Sequence, residues 1–88
     1  MKEKEIEKVF KALANKRRLL LLSNLKKSKE MSVGDLASEI KLSFRSTSKH
    51  LRILLLAEVV ESQQRSKQIF YKITPEFVVT LKKVLSSL

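Results

Sequence analysis

The sequence predicts a mostly α-helical fold, five helices closed by one small two-stranded β-hairpin. Three observations carry that reading. Apolar residues recur at helical spacing through most of the chain. One stretch, Ile69, Tyr71 and Ile73, alternates instead with the two-residue period of a strand. The chain holds a single glycine, Gly34, and a single proline, Pro75, so its turns must rest on capping residues and on breaks in hydrophobic period. A length of 88 residues allows one domain, and 43% hydrophobic with 32% charged content describes a foldable chain rather than a disordered tail.

Ile6, Val9, Phe10 and Leu13 stand at i, i+3, i+4 and i+7, the stripe of an amphipathic helix over about 3–14. Asn15 can cap a second helix, 15–27, with Leu19, Leu20, Leu22 and Leu25 expected in the core. Its first turn carries Lys16, Arg17 and Arg18, which oppose the helix dipole and so suggest an external anion. The stretch 26–30 has no apolar residue and is expected as a solvated loop. Ser32 followed by Asp35 resembles a capping box, and Val33, Leu36, Ala37 and Ile40 continue as a third helix, 32–40. Ser43 can cap a fourth, 43–57, with Thr47, Leu51 and Leu54 on one side. A hairpin over 59–73 follows, its polar tip at 64–67. Thr74-Pro75-Glu76 then combines a cap, a first-position proline and a first-turn acid to open a fifth helix, 75–87.

Lys and Arg number 19 against 9 Asp and Glu, a formal net charge of +10, and a polyanion is the partner this suggests. Without cysteine there is no disulfide, thiolate nucleophile or cysteine metal site, and the only histidine is His50. With no glycine-rich phosphate loop and no convincing pair of acids either, neither an enzyme nor a metal or other cofactor is expected. The longest apolar run, 53–57, falls far short of the roughly 18 residues of a membrane span. The alternating charges of 1–5 do not resemble a secretory signal, so a cytoplasmic location is expected.

A short helix, a tight turn, a capped longer helix and a basic hairpin follow the order of a winged helix-turn-helix. At about 100° per residue from Thr47, Leu51 and Leu54 fall near 40° and 340°, whereas Arg45, Lys49 and Arg52 fall near 160°, 200° and 140°. Three cations thus share the face opposite the core. Ser46 and Ser48 flank it, so bidentate-capable donors stand beside short hydroxyls, a surface suited to base edges in a major groove. Residues 41–52 hold four cations and no acid, where an ordinary solvated helix mixes signs. Lys16, Arg17 and Lys41, with Arg65 and Lys67 at the wing, are the expected phosphate contacts. His50, the one side chain that could act as a pH switch or a ligand, falls beside the core face and is expected instead as a half-buried histidine bonded to a neighbouring backbone group. Phe70 and Tyr71 are expected in wing and core packing rather than stacked on bases. Ile6, Val9 and Phe10 with Phe77, Val78, Leu81, Val84, Leu85 and Leu88 offer more apolar surface than one small core absorbs. A homodimer interface accounts for the surplus; the other possibility is that these residues close a monomer.

Residues 10–19, FKALANKRRL, resemble the opening of the ArsR family of winged-helix transcription regulators. Residues 42–51, LSFRSTSKHL, resemble its recognition-helix motif, and 68–73, QIFYKI, its second wing strand. His50 lies within that motif, so the resemblance leaves a phosphate contact open to it. The resemblance implies a homodimer joined through the first and last helices, reading an inverted repeat in double-stranded DNA, most simply as a repressor. Metal-sensing members often carry cysteines at the start of the third helix, where this chain has Met31 to Leu36, or His and acidic ligands on the last helix, where only Glu76 stands. Phe44 takes the place of an expected glutamine, and Ala57-Glu58-Val59-Val60 lacks the usual glycine, which predicts a different base preference. Two other functions fit the same composition: an architectural protein coating DNA without sequence preference, and a winged-helix module that docks on protein. The sequence names no effector.

Overall fold

Four of the helices start where a side chain caps them, in a computed structural model that describes residues 3–88. Asn15 Oδ1 accepts from the backbone amides of Arg17 and Arg18 at 2.9 and 3.2 Å. Ser32 Oγ accepts from Asp35 N at 3.1 Å, Ser43 Oγ from Ser46 N at 3.1 Å, and Thr74 Oγ1 from Phe77 N at 3.2 Å. These bonds satisfy first-turn amides that have no partner within a helix. They open α2 (Lys16–Ser28), α3 (Val33–Ile40), α4 (Phe44–Leu56) and α5 (Pro75–Ser87), which follow α1 (Glu3–Leu13). The Thr74 hydroxyl also donates to the Glu58 carbonyl at 2.8 Å, tying the start of α5 to the chain leaving α4.

Two helices end in paired reverse bonds around a residue with positive φ. After α3, Lys41 N and Leu42 N donate to the carbonyls of Ser38 and Ala37; after α4, Glu58 N and Val59 N donate to those of Leu55 and Leu54. Lys41 (φ 55°) and Glu58 (φ 60°) occupy the left-handed position that glycine ordinarily fills.

The sheet is antiparallel and three-stranded, in the order β1 (Met31–Ser32), β3 (Gln68–Ile73), β2 (Val60–Arg65). The wing is the hairpin of β2 and β3, in register from Val60↔Ile73 to Arg65↔Gln68, so its tip is the two-residue turn Ser66-Lys67 rather than 64–67. The third strand adds to the expected two. Met31 pairs with Tyr71 and Ser32 with Phe70. Two residues are too few to display an alternating pattern, and Ser32 is at once strand residue and helix cap.

One cluster of buried side chains joins these elements: Ala12 of α1, Leu21, Leu22 and Leu25 of α2, Val33 and Leu36 of α3, Leu51 and Leu54 of α4, then Ala57, Val59, Val60 and Tyr71. This corrects the expectation for α2. Leu19 and Leu20 are 53% and 42% exposed, and Leu21, fully buried, takes their place. Four consecutive leucines carry no phase, so the packing of α2 against α3, α4 and β3 decides which of them turn inward. The helix runs to Ser28, one residue past the expected 27, so Lys26 and Lys27 form its last turn, where cations complement the dipole, and the loop expected over 26–30 shrinks to Lys29 and Glu30.

Candidate nucleic-acid interface

Helix α3, the turn through Leu42 and Ser43, and α4 form a helix-turn-helix, with the β2–β3 wing directly after it. Within α4, Thr47, Leu51 and Leu54 have no exposed surface. Arg45, Lys49 and Arg52 are exposed on the opposite face, with Ser46 and Ser48 half-buried at its edges. No carboxylate among the described residues pairs with any of these three cations. Their charge is therefore available to an outside partner. Phe44, in the first turn, is 62% exposed and adds an apolar surface to the same end of the helix.

The three cations at the start of α2 have separate positions. Lys16 and Arg17 are exposed, while Arg18 turns inward. Its Nε donates to the Ala12 carbonyl at 2.6 Å, its Nη2 to the Lys11 carbonyl at 3.3 Å, and its Nη1 lies 3.2 Å from His50 Nδ1. Arg18 precedes Leu21 and Leu22 by three and four residues, and that spacing was the available sign that it shares their inward face. The expected backbone partner of His50 is thus replaced by a side chain 32 positions earlier. Burial first, then the positive charges of Arg18 and Arg17, holds the His50 imidazole below its ordinary 6.5.

The two wing cations also differ. Arg65, expected on phosphate, is gripped from within the protein: it donates to both carboxylate oxygens of Glu30 at 2.6 and 2.9 Å and to Gln63 Oε1 at 2.9 Å. Its guanidinium also lies 4.9 Å from the Phe70 ring centroid. The same bonds hold the Glu30 carboxyl below its ordinary 4.5. Nothing local linked residues 30 and 65, which only the three-stranded order β1-β3-β2 brings together. Lys67 is exposed at the wing tip, and Lys41 in the turn before α4.

The apolar residues of the terminal helices divide. Val9 and Phe77 pack against the core cluster. Ile6, Phe10, Val84 and Leu88 line an open groove between α1 and α5, together with Val79, which lies outside the expected apolar stripe of α5. Leu81 is half-buried, Leu85 and Leu88 are 61% and 96% exposed, and Val78 faces a different groove beside Leu25, Ile73 and Pro75. Among the described residues no three His, Cys, Asp or Glu side chains are grouped to hold a metal ion, and no helix is long and apolar enough to cross a membrane.

Helix order, hairpin and an outward basic reading helix define a winged helix-turn-helix regulator. The chain belongs to the arsR family of bacterial regulatory proteins, whose model matches residues 15–62. It is 35% identical over 77 residues to the nodulation protein NolR of Rhizobium meliloti, covering 88% of this chain and 62% of NolR, just under two thirds of that protein's length. It is 34% identical over 80 residues to the transcriptional activator HlyU of Vibrio cholerae, covering 91% of this chain and 73% of HlyU. It is 37% identical over 65 residues to the transcriptional repressor SdpR of Bacillus subtilis, covering 74% and 71%. Among solved structures it resembles a homodimeric winged helix-turn-helix DNA-binding domain from Mycobacterium bovis, with a TM-score of 0.81, 28% identity, and coverage of 96% of this chain and 77% of that one.

Proposed function

We propose that this chain is a homodimeric, sequence-specific transcription regulator of the cytoplasm that reads an inverted repeat in double-stranded DNA and represses by occluding a promoter. The observation that carries the reading is the outward face of α4, where Arg45, Lys49 and Arg52 lie opposite the fully buried Thr47, Leu51 and Leu54 with no counter-ion among the described residues. Arg45, Lys49 and Arg52 approach base edges with Ser46 and Ser48 beside them, while Lys16, Arg17, Lys41 and Lys67 hold phosphates. Arg65 serves the same surface by fixing the wing against Glu30. The exposed apolar groove between α1 and α5 supports the dimer, which would set two reading helices about 34 to 36 Å apart, one turn of DNA. Repression is supported by the similarity to SdpR, though the relative HlyU is named an activator.

The test is recovery of sheared genomic DNA by the purified protein at near-physiological salt, with the retained fragments sequenced. An enriched inverted repeat is the expected result. Uniform retention would mean an architectural protein, and no retention a protein-docking module. On the recovered site, Arg45→Ala or Lys49→Ala should cost about 1 to 3 kcal/mol if either makes a bidentate base contact. Unchanged sequence preference in both variants would place the readout elsewhere.

A further inference from the structure

Arg18 and His50 form a unit that base readout does not use. At the end of α1 the Phe10 and Leu13 carbonyls receive the amides of Ala14 and Asn15, and the Lys11 and Ala12 carbonyls receive Arg18. That leaves Nη1 at 3.2 Å from His50 Nδ1. A guanidinium can only donate, so Nδ1 must present its lone pair and the ring proton must sit on Nε2. Nε2 has no hydrogen-bond partner within the described protein, and it is not sealed from solvent, since Thr47 Oγ1 is the one buried side-chain polar atom there without a partner. The ring stands on the flank of α4 that faces the start of α2, away from Arg45, Lys49 and Arg52. Exposed Arg17 is close enough to act on it electrostatically. A neutral N–H donor beside an exposed arginine, at the margin of a reading helix, suits a backbone phosphate oxygen rather than a base edge.

We propose that His50 is a DNA-phosphate ligand, donating its Nε2–H to a backbone oxygen next to Arg17, and that Arg18 is the positioning residue that fixes the donor tautomer. This rests on the DNA-binding reading above. A protonated ring would set its Nδ1–H against Arg18, so the contact is made by the neutral form. Its contribution adds no charge.

The tautomer is read on the free protein by long-range 1H–15N spectra: wild type should show the Nε2–H form alone, and Arg18→Met a mixture. An Nδ1–H ring in wild type would overturn the positioning role. Binding is measured to the genomic fragment recovered above and to a mixed-sequence duplex of equal length, across a salt series. His50→Leu should weaken both roughly tenfold, as expected for a lost hydrogen bond to a charged group, with an unchanged salt slope because a neutral donor displaces no counter-ion. His50→Gln, which can accept from Arg18 through Oε1 and donate through Nε2, should restore most of that loss. Ethylation interference should find one phosphate per half-site that matters to wild type and His50→Gln but not to His50→Leu. Melting temperatures are taken alongside, and the wild-type tautomer and interference pattern need no variant. Equal binding and equal interference for His50→Leu and wild type would overturn the phosphate contact alone. Wild-type protein that retains neither duplex would overturn the DNA-binding reading and this contact with it.

Discussion

Replacing Glu58 with glycine should raise the stability of the fold by about 1 kcal/mol, a value that follows from the way α4 ends. Glu58 has φ 60°, and two bonds of 3.0 Å, Glu58 N to the Leu55 carbonyl and Val59 N to the Leu54 carbonyl, hold it there. An L-residue in this region carries a penalty of about 1 to 2 kcal/mol from contact between Cβ and the carbonyl oxygen. Glycine escapes it but loses more chain entropy on folding, about 0.5 to 1 kcal/mol. Removing a carboxylate from the negative end of a helix adds about 0.3 kcal/mol at an exposed site. The Thr74 hydroxyl bonds the Glu58 backbone carbonyl, which the substitution leaves in place. The balance of about 1 kcal/mol corresponds to a rise in Tm of about 4 to 8 °C for a domain of this size. Thermal and urea melts followed by circular dichroism at one fixed protein concentration measure it, since association would make Tm concentration-dependent. Glu58→Ala is the control, because it removes the charge and keeps the left-handed penalty. If Glu58→Gly proves no more stable than Glu58→Ala, the backbone argument is wrong.

Thr47 is fully buried with no hydrogen-bond partner for Oγ1 among the described residues, so Thr47→Val should stabilise by about 1 kcal/mol while leaving DNA affinity unchanged; a lower urea midpoint would reveal a partner for that hydroxyl. Arg65 is already paired with Glu30, so Arg65→Gln should leave the salt slope of DNA binding unaltered, whereas Glu30→Gln frees one cation per protomer and should steepen it. A slope that drops by about 0.9 per protomer in Arg65→Gln would return this residue to the phosphate contacts. Because His50 is held below its ordinary 6.5, the unfolded chain takes up that proton first as pH falls, so this group's contribution to stability is present above 6.5 and declines below it until the folded ring also protonates. The urea midpoint of wild type should therefore fall relative to that of His50→Gln from pH 7.5 through 6.5 to 5.5; a constant difference would show that the ring titrates alike in both states.

By itself the sequence determined whatever neighbouring residues settle among themselves. Asn15, Ser32, Ser43 and Thr74 were legible as caps because a cap bonds amides two or three positions away. The division of α4 into Thr47, Leu51 and Leu54 against Arg45, Lys49 and Arg52 followed from helical period alone. Composition was a poorer witness for turns: the only glycine lies inside α3, where a Cβ at Gly34 would meet nothing within 4 Å, while Lys41 and Glu58 hold the left-handed positions. Tertiary structure decided what depends on residues distant in the chain. Leu21 rather than Leu19 or Leu20 faces inward because α3, α4 and β3 occupy that side. Met31 and Ser32 become a strand only because β3 offers an edge. Arg18 reaches His50, and Arg65 reaches Glu30, across 32 and 35 positions. Local backbone preference and hydrophobic period set an element and its faces, but which charges are left for an outside partner depends on which ones the folded chain brings together.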